Sequence, residues 1–180
     1  MSGWGRRLLG RLGGDDLPKD FPGKLTAEER VLAVGREREG GALVATSLGL
    51  WLPDGAGSRR VGWHLISKAT WDNGTLAVIE SEETGTVDGA VLLADRPVRR
   101  FRLAGRGTLP ESVHARVTGS IKSSHRRELP GGGVWVVQRK VAGRDGIVVQ
   151  VRADPGTSQD AVRSLTAQMM VKINRVRAAE

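Results

Sequence analysis

The sequence has 180 residues, of which 28 are Lys or Arg and 20 are Asp or Glu, so the formal net charge is +8. It contains no Cys, which excludes disulfides, thiol nucleophiles and thiolate metal sites. Hydrophobic residues make up 39% of the chain, and none of the apolar runs is long enough to span a membrane. We therefore expect a soluble globular protein of one domain or two small ones, without a secretory signal and located in the cytoplasm.

The positive charge is concentrated in one stretch of the chain. Residues 96–153 include 13 basic and 3 acidic residues, whereas residues 31–95 include 5 basic and 9 acidic ones. Of the 28 basic residues 22 are Arg, a usage that fits a GC-rich genome such as that of an actinobacterium. The excess of Arg therefore has two explanations, which are mutational drift and an acidic binding partner.

Residues 1–26 are rich in Gly, Pro and basic residues and are predicted to form a flexible tail. Three apolar residues recur within it at every fourth position, and three Arg lie elsewhere on the helical wheel. This pattern leaves open a short amphipathic helix at a membrane surface, while the interspersed Gly residues favour a disordered tail. The residues concerned are Trp4, Leu8 and Leu12 on the apolar side and Arg6, Arg7 and Arg11 on the basic side.

From about residue 27 the pattern predicts short β-strands separated by tight turns. The clearest turn is Asn73-Gly74, because this pair readily adopts positive φ in a hairpin. The strands are expected at 31–38, 42–52 (bent near Gly49), 60–71, 76–80, 90–94 and 98–103.

Helical patterns follow this β-rich part. A helix is expected to begin at 109–111, since Pro stands near its first position and Val113, Val117 and Ile121 recur at helical spacing. A polar, basic stretch covers 122–128 and leads into a predicted hairpin with strands at 134–141 and 147–152.

The last predicted element is an amphipathic helix at 158–177, with Thr157 or Ser158 as its N-cap. Its apolar stripe consists of Val162, Leu165, Met169, Ile173 and Val176. The expected fold class is therefore α+β, with antiparallel strands and amphipathic helices that include a C-terminal one.

Three strand patterns resemble bacterial pleckstrin-homology-like (PH-like) domains. They are LVATSLGLW at 43–51, RVGWHLIS at 60–67 and LAV at 76–78, and RFRL at 100–103 followed by the helix at 111–121 resembles the end of that fold. The resemblance covers residues 27–121 and implies a half-open β-barrel, plugged by a helix, that acts as a binding or interaction module. Residues 122–180 are then expected to form a hairpin and a helix packed on this domain.

Enzymatic motifs are scarce in the sequence. Glu111 and His114 are spaced like one metal-binding helical pair, but such centres need several carboxylates. His64 falls in a predicted strand, and no Gly-x-Ser-x-Gly elbow occurs. We expect neither catalysis nor a cofactor nor a bound metal. Of the five Trp, those outside the tail are predicted to be core residues, with Trp135 the most exposed of them.

The basic residues of 96–153 provide the main functional prediction. Guanidinium groups grip phosphate or carboxylate through paired hydrogen bonds, so these residues are predicted to bind a protein or another anionic partner. Nucleic-acid binding, membrane association through the tail and self-association stay open as alternatives, as does packing of the basic half against Glu80, Glu82 and Glu83. The predicted contact residues are Arg100, Arg102, Lys122, Arg126, Arg127, Arg139 and Lys140.

Overall fold

The computed structural model describes residues 16–180, which form an α+β fold. The tail residues predicted for membrane contact, Trp4 to Leu12, lie outside the described part. In chain order the elements are β1 (Val31–Arg36), β2 (Ala42–Thr46), β3 (Gly49–Asp54), β4 (Gly57–Gly62), β5 (Ile66–Asp72), β6 (Thr75–Val87), β7 (Ala90–Asp95), β8 (Arg99–Arg102), α1 (Leu109–Ser120), β9 (Ile121–Leu129), β10 (Gly132–Lys140), β11 (Ile147–Ala153) and α2 (Gln159–Ala178).

The first four strands form an antiparallel sheet in the order β1-β2-β3-β4. The chain reverses between β2 and β3, where the Thr46 hydroxyl oxygen accepts hydrogen bonds from the N–H groups of Leu48 and Gly49 at 3.2 and 3.3 Å. A hydroxyl that bonds to nearby backbone in this way stabilises a tight turn. The single bent strand predicted at 42–52 is therefore wrong, and the segment forms two paired strands.

The remaining strands form one mixed sheet in the order β5-β6-β7-β11-β10-β9, with β8 paired to β6. Asn73 and Gly74 have φ values of 46° and 76° and make the predicted hairpin turn between β5 and β6. β6 continues well beyond its predicted end. Its residues 75–78 pair with β8, and its residues 81–87 pair with β7. One continuous strand therefore runs through two differently packed parts of the molecule.

β1 and β8 meet at their ends and join the two sheets. The Arg38 N–H donates to the Arg102 carbonyl at 2.9 Å, and the Ala104 N–H donates to the Arg36 carbonyl at 2.8 Å. A short 3-10 turn at Trp63–Leu65 connects β4 to β5 on the other side. The strands β1–β5, β8 and the first half of β6 thus surround one apolar core, and we call this part the barrel unit.

Helix α1 covers the core of the barrel unit. It packs against β1, β2 and β5 and buries Leu109 together with Val113 and Val117 of its predicted apolar face. The third residue of that face, Ile121, begins β9 instead. The rest of this core comes from the strands and the 3-10 turn, and it consists of Ala33, Leu43, Ala45, Leu50, Leu52, Val61, Trp63, Ile66, Leu76, Val78, Phe101 and Leu103.

The second part, which we call the half-barrel unit, is built from the second half of β6 with β7, β9, β10, β11 and α2. Its sheet curls, and α2 packs on the face that presents Leu92, Val134 and Val151. β11 pairs in parallel with β7, with Val151 opposite Leu92. Helix α2 contributes Val162 and Met170 to a second core, whose other members are Ala90, Leu92, Val134, Val136, Val149 and Val151.

Helix α2 begins where the sequence predicts. Ser158 is its N-cap, and the hydroxyl oxygen accepts a hydrogen bond from the Ala161 N–H at 3.3 Å. Its most deeply buried stripe is Val162, Thr166 and Met170, flanked by the partly buried members of the predicted stripe. Val176 is 62% exposed, so the end of the predicted apolar stripe lies outside the core.

β9 is not among the predicted strands. It covers the polar stretch 122–128 and pairs with β10, for example Arg126 opposite Trp135 and Arg127 opposite Val134. The segment that follows α1 therefore contains three strands and a helix instead of a hairpin and a helix. Among residues 16–180, none of the helices is long and apolar enough to cross a membrane.

Candidate functional site: a basic groove beside α1

A groove of about 360 Å³ lies where the end of α1 faces the connection between β10 and β11. The connection is held against the barrel unit because Val141 is 5% exposed and Ala142 packs on the first core. The Arg144 N–H closes the turn by donating to the Val141 carbonyl at 3.2 Å. The groove, which we call the basic groove, is lined by Trp63, Ala115, Arg116, Gly119, Ser120, Lys140, Val141, Ala142, Gly143 and Arg144.

Three of these lining residues are cations and none is acidic. Arg116, Lys140 and Arg144 are exposed, and none of the three forms an ion pair with any residue in the described part of the chain. Each comes from a different position: the outer side of α1, the last residue of β10 and the following turn. Their charge is therefore free to act on an anionic group in the groove.

Small residues on α1 keep the groove open. Ala115 and Gly119 line it, and a Cβ added at Gly119 would meet no atom within 4 Å. Because residues three and four apart share one helix face, Gly119 leaves the space beside Arg116 unfilled. A larger side chain at position 119 would occupy the groove without a clash at its Cβ.

The floor of the groove is apolar and is formed by the buried Trp63. Trp63 is 2% exposed, and its indole Nε1–H donates to the Thr46 carbonyl at 3.0 Å. The neighbouring His64 adds no charge, because burial lowers the pKa of its imidazole and the nearby Arg139 and Arg144 lower it further. The cationic character of the groove therefore comes from its rim.

The structure brings one residue of the predicted contact set into the basic groove, and that residue is Lys140. Its neighbour Arg139 takes a position different from the surface predicted for it, since it is 4% exposed. The Arg139 guanidinium donates to the carbonyls of His64 and Ile66 at 2.9 and 3.0 Å and to that of Val117 at 3.4 Å. It therefore ties β10 to the start of β5 and to α1.

The predicted contact residues of β9 do not share one surface. Arg126 and Arg127 point to opposite faces of the strand, because their partners in β10 are Trp135 and Val134. Arg126 donates to Glu128 and Asp154 at 2.7 Å and lies over the Trp135 ring. These bonds raise the pKa of Arg126 and lower that of Asp154. Lys122 and Arg127 are exposed and form no ion pair with a described residue.

Arg100 and Arg102 lie on β8, away from the basic groove. Both are exposed on the outer side of the barrel unit, while the intervening Phe101 is buried, as predicted from the alternation. They form no ion pair within residues 16–180, so they carry the same kind of free charge as the groove. Their position makes them matched controls for its three cations.

Part of the basic stretch is neutralised within the chain. Arg99 lies 3.8 Å from Glu80, which also binds Arg59 at 2.9 Å, and Arg96 binds Glu82 at 3.1 Å. The open alternative named Glu80, Glu82 and Glu83. Contact of the basic half with Glu80 and Glu82 is confirmed, whereas Glu83 forms no ion pair with a described residue. The net positive charge of 96–153 overstates the charge that is available to a partner.

Arg116 is the groove residue that the sequence interpretation missed. It lies beside Val117 in α1, so the apolar helix pattern drew attention away from it. A signal was present: positions three and four residues on either side of Arg116 hold Ser112, Val113, Gly119 and Ser120, none of which can neutralise it.

The residues considered as catalytic or metal-binding candidates do not come together in one site. Glu111 binds Arg106 at 3.2 Å, and His114 is exposed on α1. Among the described residues no group of three or more potential ligands is placed to hold a metal ion. Of the four Trp in this part, Trp51 and Trp63 are buried, and Trp71 and Trp135 are half-buried.

Comparisons with protein-family models, curated proteins and solved structures found no match to this chain.

Proposed function

We propose that this protein is a non-catalytic binding module of PH-like type that holds a short acidic segment of a protein partner in the basic groove. The observation that carries the proposal is the set of three unpaired cations around an apolar floor. Carboxylates of the partner would meet Arg116, Lys140 and Arg144, while an apolar side chain between them would rest near Trp63.

Two features support the PH-like assignment. The barrel unit has a four-stranded sheet that faces β5, β6 and β8 across one core, and α1 follows the last of these strands and covers the core. This is the arrangement that the resemblance over 27–121 implies. The half-barrel unit is an addition that supplies Lys140 and Arg144 to the groove.

The size and charge of the groove favour a peptide over a nucleic acid. A nucleic acid needs a long basic track and exposed aromatic rings on which bases stack. Here Trp63 is buried, and Arg96, Arg99, Arg126 and Arg152 are engaged with carboxylates of the same chain. The remaining free charge beside an apolar floor suits a few carboxylates instead.

The test is a fluorescence-anisotropy titration with a labelled 12-residue peptide of alternating Glu and Leu. We expect the triple variant Arg116→Glu, Lys140→Glu, Arg144→Glu to weaken binding about tenfold or more, because three exposed pairs become repulsive. Gly119→Leu should also weaken binding of the peptide, because the leucine side chain fills part of the groove without a change of charge.

The matched control is the double variant Arg100→Glu, Arg102→Glu, which reverses free charges outside the groove. Its affinity should stay within about twofold of the wild type. Equal loss in both variants would show that the overall charge drives binding, and the groove proposal would fail. Tighter binding of single-stranded DNA or RNA than of the peptide would favour the nucleic-acid alternative.

Two further proposals accompany this function. We place the protein in the cytoplasm, because a chain without Cys gains no disulfides from an oxidising compartment. Association with a membrane through Trp4, Leu8, Leu12, Arg6, Arg7 and Arg11 is tested separately, by sedimentation with anionic vesicles before and after removal of residues 1–15.

A further inference from the structure

The concave face of the curled sheet, opposite α2, encloses a cleft of about 180 Å³. Residues from β5, β6, β7, β9, β10 and β11 line it, which reflects how far the sheet curls. Its walls combine apolar side chains such as Leu93 and Trp135 with polar ones, among them Ser124, Gln150, Arg139 and Arg152. This cleft is separate from the basic groove, with which it shares no lining residue.

Arg139 places a buried positive charge at the cleft. No carboxylate of the described chain pairs with it, since its terminal nitrogens all bond to backbone carbonyls. Its Nε–H is the one buried side-chain polar group among residues 16–180 without a hydrogen-bond partner. Burying an uncompensated charge and an unsatisfied donor is costly, so the site is one that an anion would stabilise.

The other charges around the cleft do not compensate Arg139. Arg152 lies on the adjacent strand, but its guanidinium binds Asp95 at 2.6 Å. Asp95 in turn accepts a hydrogen bond from the Ser81 hydroxyl at 2.8 Å. Asp95 therefore neutralises Arg152, and the charge of Arg139 is left over. Burial lowers the pKa of Arg139 to about 10, which keeps the guanidinium protonated at neutral pH.

The volume and the lining of the cleft indicate which kind of anion it would bind. It is smaller than the pockets that hold drug-sized ligands or nucleotides, which are typically about 300–1,000 Å³. Apolar walls on Leu93, Trp135, Ile121 and Val137 suit a ligand with a hydrophobic body, while the Ser124 hydroxyl offers a further polar contact. A small organic acid has both properties.

We propose that the cleft binds a small organic carboxylate, whose charged group is held by Arg139 and whose apolar part lies against Leu93 and Trp135. The proposal is independent of the basic groove, because Arg116, Lys140 and Arg144 do not line the cleft. The walls of the cleft are already formed by hydrogen-bonded strands, so the ligand would bind without a change of fold.

The experiment uses benzoate and hexanoate with the full chain, and their uncharged isosteres benzamide and hexanamide. The Nε–H resonance of Arg139 is followed by NMR on protein labelled with ¹⁵N. The acids are expected to shift this resonance in a saturable way, with at least tenfold weaker effects from the amides. Equal effects of acids and amides, or tighter binding of inorganic phosphate, would overturn the proposal.

Two variants locate the binding without altering buried charge. Ser124→Phe introduces a ring from the exposed strand β9 into the cleft and is expected to abolish binding of benzoate. His125→Phe places the same ring on the opposite face of β9 and should leave it unchanged. Gly119→Leu, which blocks the basic groove, should also leave it unchanged. Retained binding in Ser124→Phe would exclude the cleft as the site.

Discussion

The barrel unit and the half-barrel unit bury their cores in different ways. The barrel unit encloses large side chains such as Trp63, Phe101 and Leu109 between two sheets and a short helix. The half-barrel unit relies mainly on Val side chains under a helix that lies on one open face. Ile147 on β11 and Val171 and Val176 on α2 stay exposed. The first unit is therefore closed by its own elements, whereas the second is covered on one side.

The two helices show the same contrast at their first turns. In α2 the Ser158 hydroxyl caps the helix, but the N-cap residue of α1, Thr108, makes no side-chain cap bond. Helix α1 begins instead with the buried Leu109 and Pro110. Packing on the barrel core thus replaces a local cap, while α2 has to stabilise its own first turn because less of its surface is buried.

Truncation of one fully buried side chain in each helix is expected to have the largest effect. Leu109→Ala should lower the free energy of unfolding by about 2–5 kcal/mol, because a fully buried leucine leaves a cavity. Met170→Ala should fall towards the lower end of this range, since α2 can move into the gap from its open side. Urea denaturation with α-helical circular dichroism measures both.

Val176→Ala serves as the surface control and should change the free energy of unfolding by less than about 0.5 kcal/mol. Because β6 runs through both units, each core variant is expected to shift one common unfolding transition. A larger loss in Met170→Ala than in Leu109→Ala would contradict the contrast between a closed and an open core.

The next largest effect is expected at Glu29, a buried carboxylate before β1. It accepts hydrogen bonds from the Thr46 hydroxyl and the Trp51 indole, and it forms an ion pair with Arg60. Burial favours a raised pKa, but these bonds outweigh it and hold the pKa of Glu29 below the ordinary value of 4.5. Glu29→Gln should therefore cost about 1–3 kcal/mol near pH 7, where the carboxylate is ionised.

The pH dependence of that cost has a definite sign. A group whose pKa is lowered by folding stabilises the protein above its unfolded pKa, and this contribution is lost as the pH falls through its folded pKa. The difference between wild type and Glu29→Gln should shrink below about pH 4. Asp154→Asn in the half-barrel unit should cost less, since its bond to Arg126 is open to solvent. A difference constant from pH 7 to 3 would contradict the assignment.

The smallest expected effects compare the two helix starts. Ser158→Ala should destabilise the protein by about 0.5–2 kcal/mol through loss of the cap bond. Thr108→Ala should stay within about 0.5 kcal/mol, because no cap bond is lost. Thermal denaturation of the two variants under one condition decides this, and similar losses would show that α1 is capped in solution.

The elements that the sequence predicts well have one dominant periodicity. Helix α2 shows its apolar stripe and its Ser158 cap, and the β5–β6 hairpin shows Asn73-Gly74. β9 escaped prediction because it is an edge strand with polar residues on both faces, Ser124 and Arg126 on one and His125 and Arg127 on the other. A strand of this kind is specified by its neighbour β10 and not by its own pattern.

The candidate site was predicted in part for a related reason. Lys140 belongs to the predicted contact set, because a charged residue at the end of an apolar strand is readily placed on the surface. The buried position of Arg139 depends on the curl of the sheet, which brings β10 close to His64 and Ile66. The parallel pairing of β7 with β11 joins distant parts of the chain, and no local pattern indicates such a contact.

That parallel pairing also sets an order of events when the chain is made. β7 is synthesised more than fifty residues before β11, so its outer edge has no partner while the intervening residues are added. At roughly 5–20 residues per second the exposed edge persists for several seconds. An unpaired, apolar edge is a template for association with other chains. The nascent protein is therefore most prone to aggregate after β7 has emerged from the ribosome and before β11 can pair with it.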